Sequence, residues 1–331
     1  MKYRKIGDSD LSLSVITFGS WAAGGWMWGG VETNDSVNAI HAAFNAGMTS
    51  IDTAPAYGQG LSEEIVGEAV KSLGRDKVQI ITKFGLRWDS TEGKFYFTSK
   101  GNDGKDVNMY RNASRERIIK ECEDSLRRLQ TDYIDLYQIH WPVGETPIQE
   151  TMETVDMLIK QGKVRYAGVC NYSAEQVSEA SKYVNIISDQ VPYSMLLRNI
   201  EDELVPYTIK NDKSILAYSP LQRGVLTGKI KPGHKFSGND HRAGLPHFKD
   251  ENVTRINAFL DKIKPIADEK KATLGQLVLA WTIEQPGITI ALVGARNPQQ
   301  AIENAAAADI NLTHEEIDFI TAELNKLELV K

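Results

Sequence analysis

The sequence predicts an α/β fold: a single (β/α)8 barrel domain over residues 1–331, with an N-terminal β-hairpin and extra C-terminal helices. Three observations point there. Short apolar runs rich in Val and Ile recur eight times, each bounded by Gly, Pro, Asn or Asp, as buried parallel strands read. Amphipathic segments lie between them. The length of 331 residues would suggest two domains at about 150 residues each, yet single α/β barrels exceed that figure. A doubly wound sheet carries the same alternation, so periodicity alone leaves it as the competing architecture.

The chain opens on a hairpin-like stretch, residues 3–6 and 11–16 around a turn at 7–10. Strand-like runs follow at 15–18, 48–51, 78–81, 134–139, 164–169, 186–188, 214–217 and 288–293. Helical periodicity fills the spaces. Residues 35–46 place Val37, Ile40, Ala43 and Phe44 on one stripe, and 114–129 do the same with Ile118, Ile119, Cys122, Leu126 and Leu129. Ser114, Ser173 and Thr313 read as N-caps, with Gln176 and Glu316 at the capping-box spacing. Two long connections, 86–112 and 222–252, break the rhythm and read as irregular lids or binding loops.

Composition narrows the function. Forty-four acidic and 38 basic side chains leave a net charge of −6; a nucleic-acid-binding surface would need a basic domain. A local cationic pocket for an anionic ligand remains compatible with that total. The two cysteines, Cys122 and Cys170, have no CxxC or Cys/His neighbourhood, so neither a disulfide framework nor a metal site is expected. The first residues lack an apolar h-region, and no run approaches the roughly 20 residues of a membrane span. The expectation is a cytoplasmic protein acting on a small molecule.

The chemistry lies just past the strand ends. The second run ends at Asp52, with Tyr57 five residues on; the third ends at Lys83, the fourth at His140, the fifth at Asn171 and the sixth at Gln190. In a barrel all of these face the C-terminal mouth. Tyr57 is a phenol at neutral pH and can donate to a developing alkoxide. A Lys83 ammonium beside it would favour the anionic form and strengthen the acid. Asp52 would hold Lys83, and His140 would orient the carbonyl oxygen. A tyrosine poised this way suggests carbonyl reduction by hydride from a bound cofactor.

The whole chain resembles the aldo-keto reductase family. The matching pieces include Phe18-Gly19-Ser20-Trp21, Ile51-Asp52-Thr53-Ala54-Pro55-Ala56-Tyr57-Gly58, Thr82-Lys83, Gln138-Ile139-His140-Trp141-Pro142, Gly168-Val169-Cys170-Asn171, Tyr218-Ser219-Pro220-Leu221, Gly224-Val225-Leu226-Thr227-Gly228, Gly294-Ala295-Arg296 and Glu303-Asn304. They look most like a bacterial NADPH-dependent branch that also resembles general stress and inositol-operon reductases. The resemblance implies a TIM barrel reducing carbonyls to alcohols, with Asp52, Tyr57, Lys83 and His140 as its tetrad. It also implies NADP(H) as cofactor and a small carbonyl or alcohol as substrate, with no nucleic acid or membrane as partner.

Carried over residue by residue, Tyr218 lies flat against the nicotinamide, and Asn171 and Gln190 grip its amide. Gly19, Ser20, Trp21 and Asp52 are further cofactor-binding positions that the resemblance implies. Ser219, Leu221, Gly224 and Leu226 follow the pyrophosphate. Gly294, Arg296, Gln300, Glu303 and Asn304 hold the far end, where Arg296 beside a helix N-terminus favours a 2′-phosphate. Arg242 reads equally as a clamp or as a solvated side chain. Cys170 departs from the family's serine, and a thiol is a weak donor.

Two motifs read as decoys. Gly58-Gln59-Gly60-Leu61-Ser62-Glu63 nearly matches GxGxxG but ends in Glu63. Tyr96 and Lys100 have the spacing of a dehydrogenase pair, yet the Gly-flanked segment reads as loop. Trp21, Trp26, Trp28, Trp88 and Trp141 follow strands and would form an aromatic pocket at the mouth. Two other readings stand beside carbonyl reduction: a channel β-subunit-like partner protein, and a Schiff-base lyase using Lys83.

Overall fold

The computed structural model describes residues 1–28, 32–236 and 240–330, so part of the 222–252 connection lies outside the described residues. Eight parallel strands close into a barrel: β1 (Ile16–Gly19), β2 (Ser50–Asp52), β3 (Gln79–Phe84), β4 (Ile134–Ile139), β5 (Val164–Cys170), β6 (Ile186–Pro192), β7 (Ser214–Tyr218) and β8 (Ile288–Gly294). Each pairs with the next in sequence, and β8 pairs with β1. That closure excludes the doubly wound sheet, whose edges would stay open.

Alternation along each strand sorts the side chains. On β3, Ile80 and Phe84 face the helices while Ile81 joins the barrel interior, so Lys83, two residues on, shares the interior face. The same period on β7 turns Leu216 and Tyr218 inward and Ile215 and Ala217 outward. Interior space is tight enough to require a glycine at one point. A Cβ on Gly168 of β5 would stand 2.7 Å from Ser188 Oγ and 3.0 Å from Gln138 Cγ.

The N-terminal hairpin, Tyr3–Lys5 with Ser12–Ser14, stoppers the bottom. Its Ile6, Leu11 and Leu13 pack against Ile81, Leu136, Ile187, Leu216, Ile290 and Leu292 from the strands. Water is thereby kept from one end, leaving the other for ligands. Beyond the barrel's own helices, Asp250–Glu269 lies before β8 and His314–Leu324 follows at the C-terminus. Thr313 caps that last helix in a full capping box with Glu316, as Ser173 does with Gln176 for Ala174–Ala180.

The 86–112 stretch corrects the sequence reading. It is a three-stranded antiparallel sheet of Leu86–Arg87, Lys94–Lys100 and Asp106–Arg111. The segment containing Tyr96 and Lys100 is thus a strand, with alternation that its flanking glycines and lysines obscured. The near-GxGxxG is a turn: Gly58, Gln59 and Gly60 have φ of 65°, 55° and 96°. Its final Glu63 is buried, accepting from Thr82 Oγ1 at 2.6 Å and Arg128 Nε at 2.7 Å. No described helix is long and apolar enough to cross a membrane.

Candidate active site

A cavity of about 640 Å³ opens at the C-terminal ends of the strands. Asp52 ends β2, and Lys83 lies one residue from the end of β3. The two form a buried ion pair, Lys83 Nζ to Asp52 Oδ1 at 2.7 Å, and the ammonium also donates to the Thr53 carbonyl at 2.8 Å. Burial works against the charge on Lys83, but Asp52, joined by Tyr57 and Cys170, outweighs it and raises the pKa above the usual lysine value. Burial pushes the Asp52 carboxyl up while Lys83 and Gln190 pull it down.

Tyr57 sits in the turn after β2, its amide bonded to the Ala54 carbonyl at 3.1 Å. Lys83 Nζ lies 4.9 Å from the ring centroid. The His140 ring stands edge-on at 5.8 Å and 80°. Burial pushes the Tyr57 phenol up to about 12, against the pull of Lys83. The ammonium therefore acts as expected in direction, but burial is the larger effect. His140 is held well below the usual histidine range by burial, then by Lys83 and Arg111, so its imidazole is neutral at pH 7.

The next ring of residues fixes these groups. Gln190 donates from Nε2 to Asp52 Oδ1 at 2.9 Å and accepts at Oε1 from Gln138 at 3.2 Å and Cys170 at 3.2 Å. Asn171, left-handed at φ 62°, donates to the His140 carbonyl at 3.1 Å and accepts from Tyr218 OH at 2.9 Å. Both amides are thus committed within the protein, but capacity remains: one N–H on Gln190, one N–H and one lone pair on Asn171.

The cavity continues away from Tyr57. Gly19, Trp21, Tyr218, Ser219, Leu221 and Gly224 line it, and Gly294, Arg296, Gln300, Glu303 and Asn304 line its far end. Gln300 accepts from the Arg296 amide at 2.9 Å, and Asn304 donates to the Gly294 carbonyl at 3.1 Å. Ser20 and Leu226 are buried away from the cavity wall, and the Ser20 hydroxyl is bonded to Ser62 at 2.6 Å. The wall suits a nicotinamide dinucleotide. The Tyr218 ring offers a platform, the two amides retain polar capacity beside it, and Arg296 carries no ion pair among the described residues. No three His, Cys, Asp or Glu side chains gather as a metal site among the described residues.

Sequence reasoning missed part of the wall. Tyr96 and Phe97 reach it from the hairpin sheet; Arg223, Lys229, His234 and His241 reach it from the 222–252 connection. The turn signal Gly101-Asn102-Asp103-Gly104 between two aromatic, alternating segments could have found the hairpin. Trp21, Trp28 and His241 form a triad of rings 5.2–5.4 Å apart, and Trp21 stacks on Tyr57 at 6.1 Å.

This geometry has relatives. The model of the aldo/keto reductase family matches residues 15–325. Aldo-keto reductase YhdN of Bacillus subtilis is 41% identical over 91% of this chain and 86% of that protein. The NADH-specific methylglyoxal reductase of Escherichia coli is 37% identical over 95% of each chain. The solved glycerol dehydrogenase AKR11B4 of Gluconobacter oxydans superposes with a TM-score of 0.87 at 36% identity, covering 98% of this chain and 95% of that one. The barrel, the four side chains at its mouth and a family match along nearly its whole length lead to one conclusion: the chain belongs to the aldo/keto reductase family.

Proposed function

We propose that this protein reduces aldehydes or ketones to alcohols, reversibly, with NADPH as cofactor. The observation that carries the reading is the meeting of Tyr57, Lys83, Asp52 and His140 at one mouth, with Lys83 4.9 Å from the Tyr57 ring and 2.7 Å from Asp52. When bound, the nicotinamide supplies the hydride that reaches the carbonyl carbon. Tyr57 gives its hydroxyl proton to the carbonyl oxygen as charge develops there. Lys83 stabilises the phenolate left behind, and Asp52 keeps Lys83 charged and in place. His140, neutral, offers a ring N–H that orients the same oxygen. Lys83 serves poorly as a Schiff-base nucleophile, because its raised pKa keeps the amine protonated.

NADPH rather than NADH is supported by Arg296, with Gln300 and Asn304 on the helix Pro298–Ala306. A guanidinium without an ion pair suits a phosphate dianion, whereas two ribose hydroxyls need no such charge. The methylglyoxal reductase relative is NADH-specific by name, so the preference must be measured on this chain. Purified protein should consume NADPH on addition of butanal and bind NADPH at least about ten-fold more tightly than NADH, the scale of one charge-assisted hydrogen bond. No butanal-dependent consumption would overturn the activity, and equal affinities would overturn the cofactor assignment.

A further inference from the structure

Beneath the cavity, the barrel interior holds a row of polar side chains that ends on the ion pair. Gln138 of β4 and Ser188 of β6 are fully buried, and neither lines the cavity. Gln138 shares the interior face with Leu136 by the two-residue period. It stands beside Lys83 on one neighbouring strand and Gly168 on the other. Gly168 carries no side chain, so Gln138 reaches across β5 to β6. There its Oε1 accepts from Ser188 Oγ at 3.4 Å, and its Nε2 donates to Gln190 Oε1 at 3.2 Å. Gln190 Nε2 in turn donates to Asp52 Oδ1 at 2.9 Å, the same oxygen that takes Lys83 Nζ at 2.7 Å.

The charge at the end of this row sets the direction of every bond in it. An ionised carboxylate only accepts, so Gln190 must turn its amino group to Asp52 and its oxygen to Gln138. Gln138 must then answer with its own amino group, which leaves its oxygen for the Ser188 hydroxyl. A Gln190 amide turned over would set its oxygen against the Asp52 carboxylate and its N–H groups against those of Gln138. The other donor to Gln190 Oε1 is Cys170 Sγ at 3.2 Å, and a thiol is a weak donor. Gln138 is therefore the stronger restraint on the Gln190 oxygen. Bonds in such a row polarise one another, so the donor at Gln138 strengthens the bond that Gln190 gives to Asp52.

We propose that Gln138, backed by Ser188, is a positioning residue for the catalytic ion pair: through Gln190 it holds the Asp52 carboxylate ionised and in place against Lys83. This rests on the carbonyl-reductase reading, in which Lys83 must stay charged beside Tyr57. The titratable groups that face Asp52 are Lys83 from β3, Tyr57 from the turn after β2 and Cys170 from β5. Among them Lys83 carries the charge at neutral pH, because burial pushes the Tyr57 phenol and the Cys170 thiol up.

Asp52 is titrated in the ligand-free protein by its carbon-13 carboxyl resonance, identified by its loss in Asp52→Asn. Turnover is read separately, as single-turnover oxidation of bound NADPH by butanal across pH. The bond from Gln190 favours ionised Asp52, so weakening it raises the pH at which Asp52 takes a proton. Gln138→Met, unbranched and of similar length, should move the Asp52 midpoint up by about 0.4–1 pH unit, the worth of one neutral hydrogen bond. The acid limb of the single-turnover rate should move with it. Cys170→Ser, added to Gln138→Met, should recover part of the shift, because a hydroxyl is a stronger donor to the same Gln190 oxygen. Gln138→Asn stops a methylene short of Gln190 and should act in the same direction if the methionine variant does not fold. A midpoint left in place, or a shift that Cys170→Ser leaves untouched, would overturn the proposal. So would a moved midpoint with an unmoved acid limb in an active enzyme. A shifted midpoint that Cys170→Ser partly restores, in a wild type that turns over no butanal, would support the positioning of Asp52 by Gln138 and overturn the reductase reading instead.

Discussion

The Tyr57 hydroxyl stands between burial, which pushes its pKa up to about 12, and the Lys83 ammonium, which pulls it down. At neutral pH it therefore holds its proton, the state a donor needs before the reaction begins. At the other end of the cavity Arg296 has a simpler task. Arg296→Leu should weaken NADPH by about 1.5–3 kcal/mol, or roughly 10- to 100-fold in Kd, while NADH changes little. Isothermal titration with both cofactors checks this, and equal losses would show that Arg296 does not meet a 2′-phosphate. The four residues of the mouth were legible in the sequence because each follows an apolar run, and strand ends at a barrel mouth converge. Arg223 was not legible. Its place on the cavity wall exists only once the chain is folded.

Among the elements, the hairpin sheet between β3 and the helix Arg115–Leu129 escaped the sequence reading, and it brings Tyr96 and Phe97 to the cavity. Contacts from afar fasten it: Trp26 Nε1 donates to Ser99 Oγ at 2.9 Å, and Trp26 stacks on Phe97 at 6.2 Å. Tertiary partners of this kind leave no local periodicity. Where signals are local, the reading succeeded for Ser173 and Thr313, whose capping boxes form. It failed in detail at Ser114, whose side chain makes no cap bond. The same helix carries Glu121 into the joint with β3, where it accepts from the Gly85 amide at 3.0 Å and lies 3.6 Å from Arg87. Burial pushes its pKa up to about 7, despite Arg87. The native state then keeps this proton up to about pH 7, whereas the unfolded chain releases it near about 4.3. The stability it contributes is complete below that lower value and is lost as pH rises through about 7. Glu121→Gln should match the wild type at about pH 4 and exceed it by on the order of 1–3 kcal/mol at about pH 8.5 in urea unfolding. A wild type that instead gains on the variant as pH rises would show that the ion pair with Arg87 outweighs burial.

At the scale of the whole molecule, the barrel separates what holds it together from what it does. The stoppered end, where Leu13 meets Leu136 and Leu216, is apolar. The open end collects ionisable groups: Asp52 from β2, Lys83 from β3 and His140 after β4, with Tyr57 on the loop between the first two. The eight runs made this architecture legible, and closure itself settled the choice that periodicity left open. The central claim is that Tyr57, supported by Lys83, Asp52 and His140, is the proton donor to a carbonyl reduced at this mouth. Its most direct test is the single-turnover oxidation of protein-bound NADPH by butanal, in the wild type and in Tyr57→Phe, with NADPH affinity measured alongside. The phenol's loss should slow the step by about 10²–10⁴-fold while the NADPH Kd stays the same. A variant that keeps more than about a tenth of the wild-type rate, below any range expected of a general acid, would contradict the account and move the proton to another group.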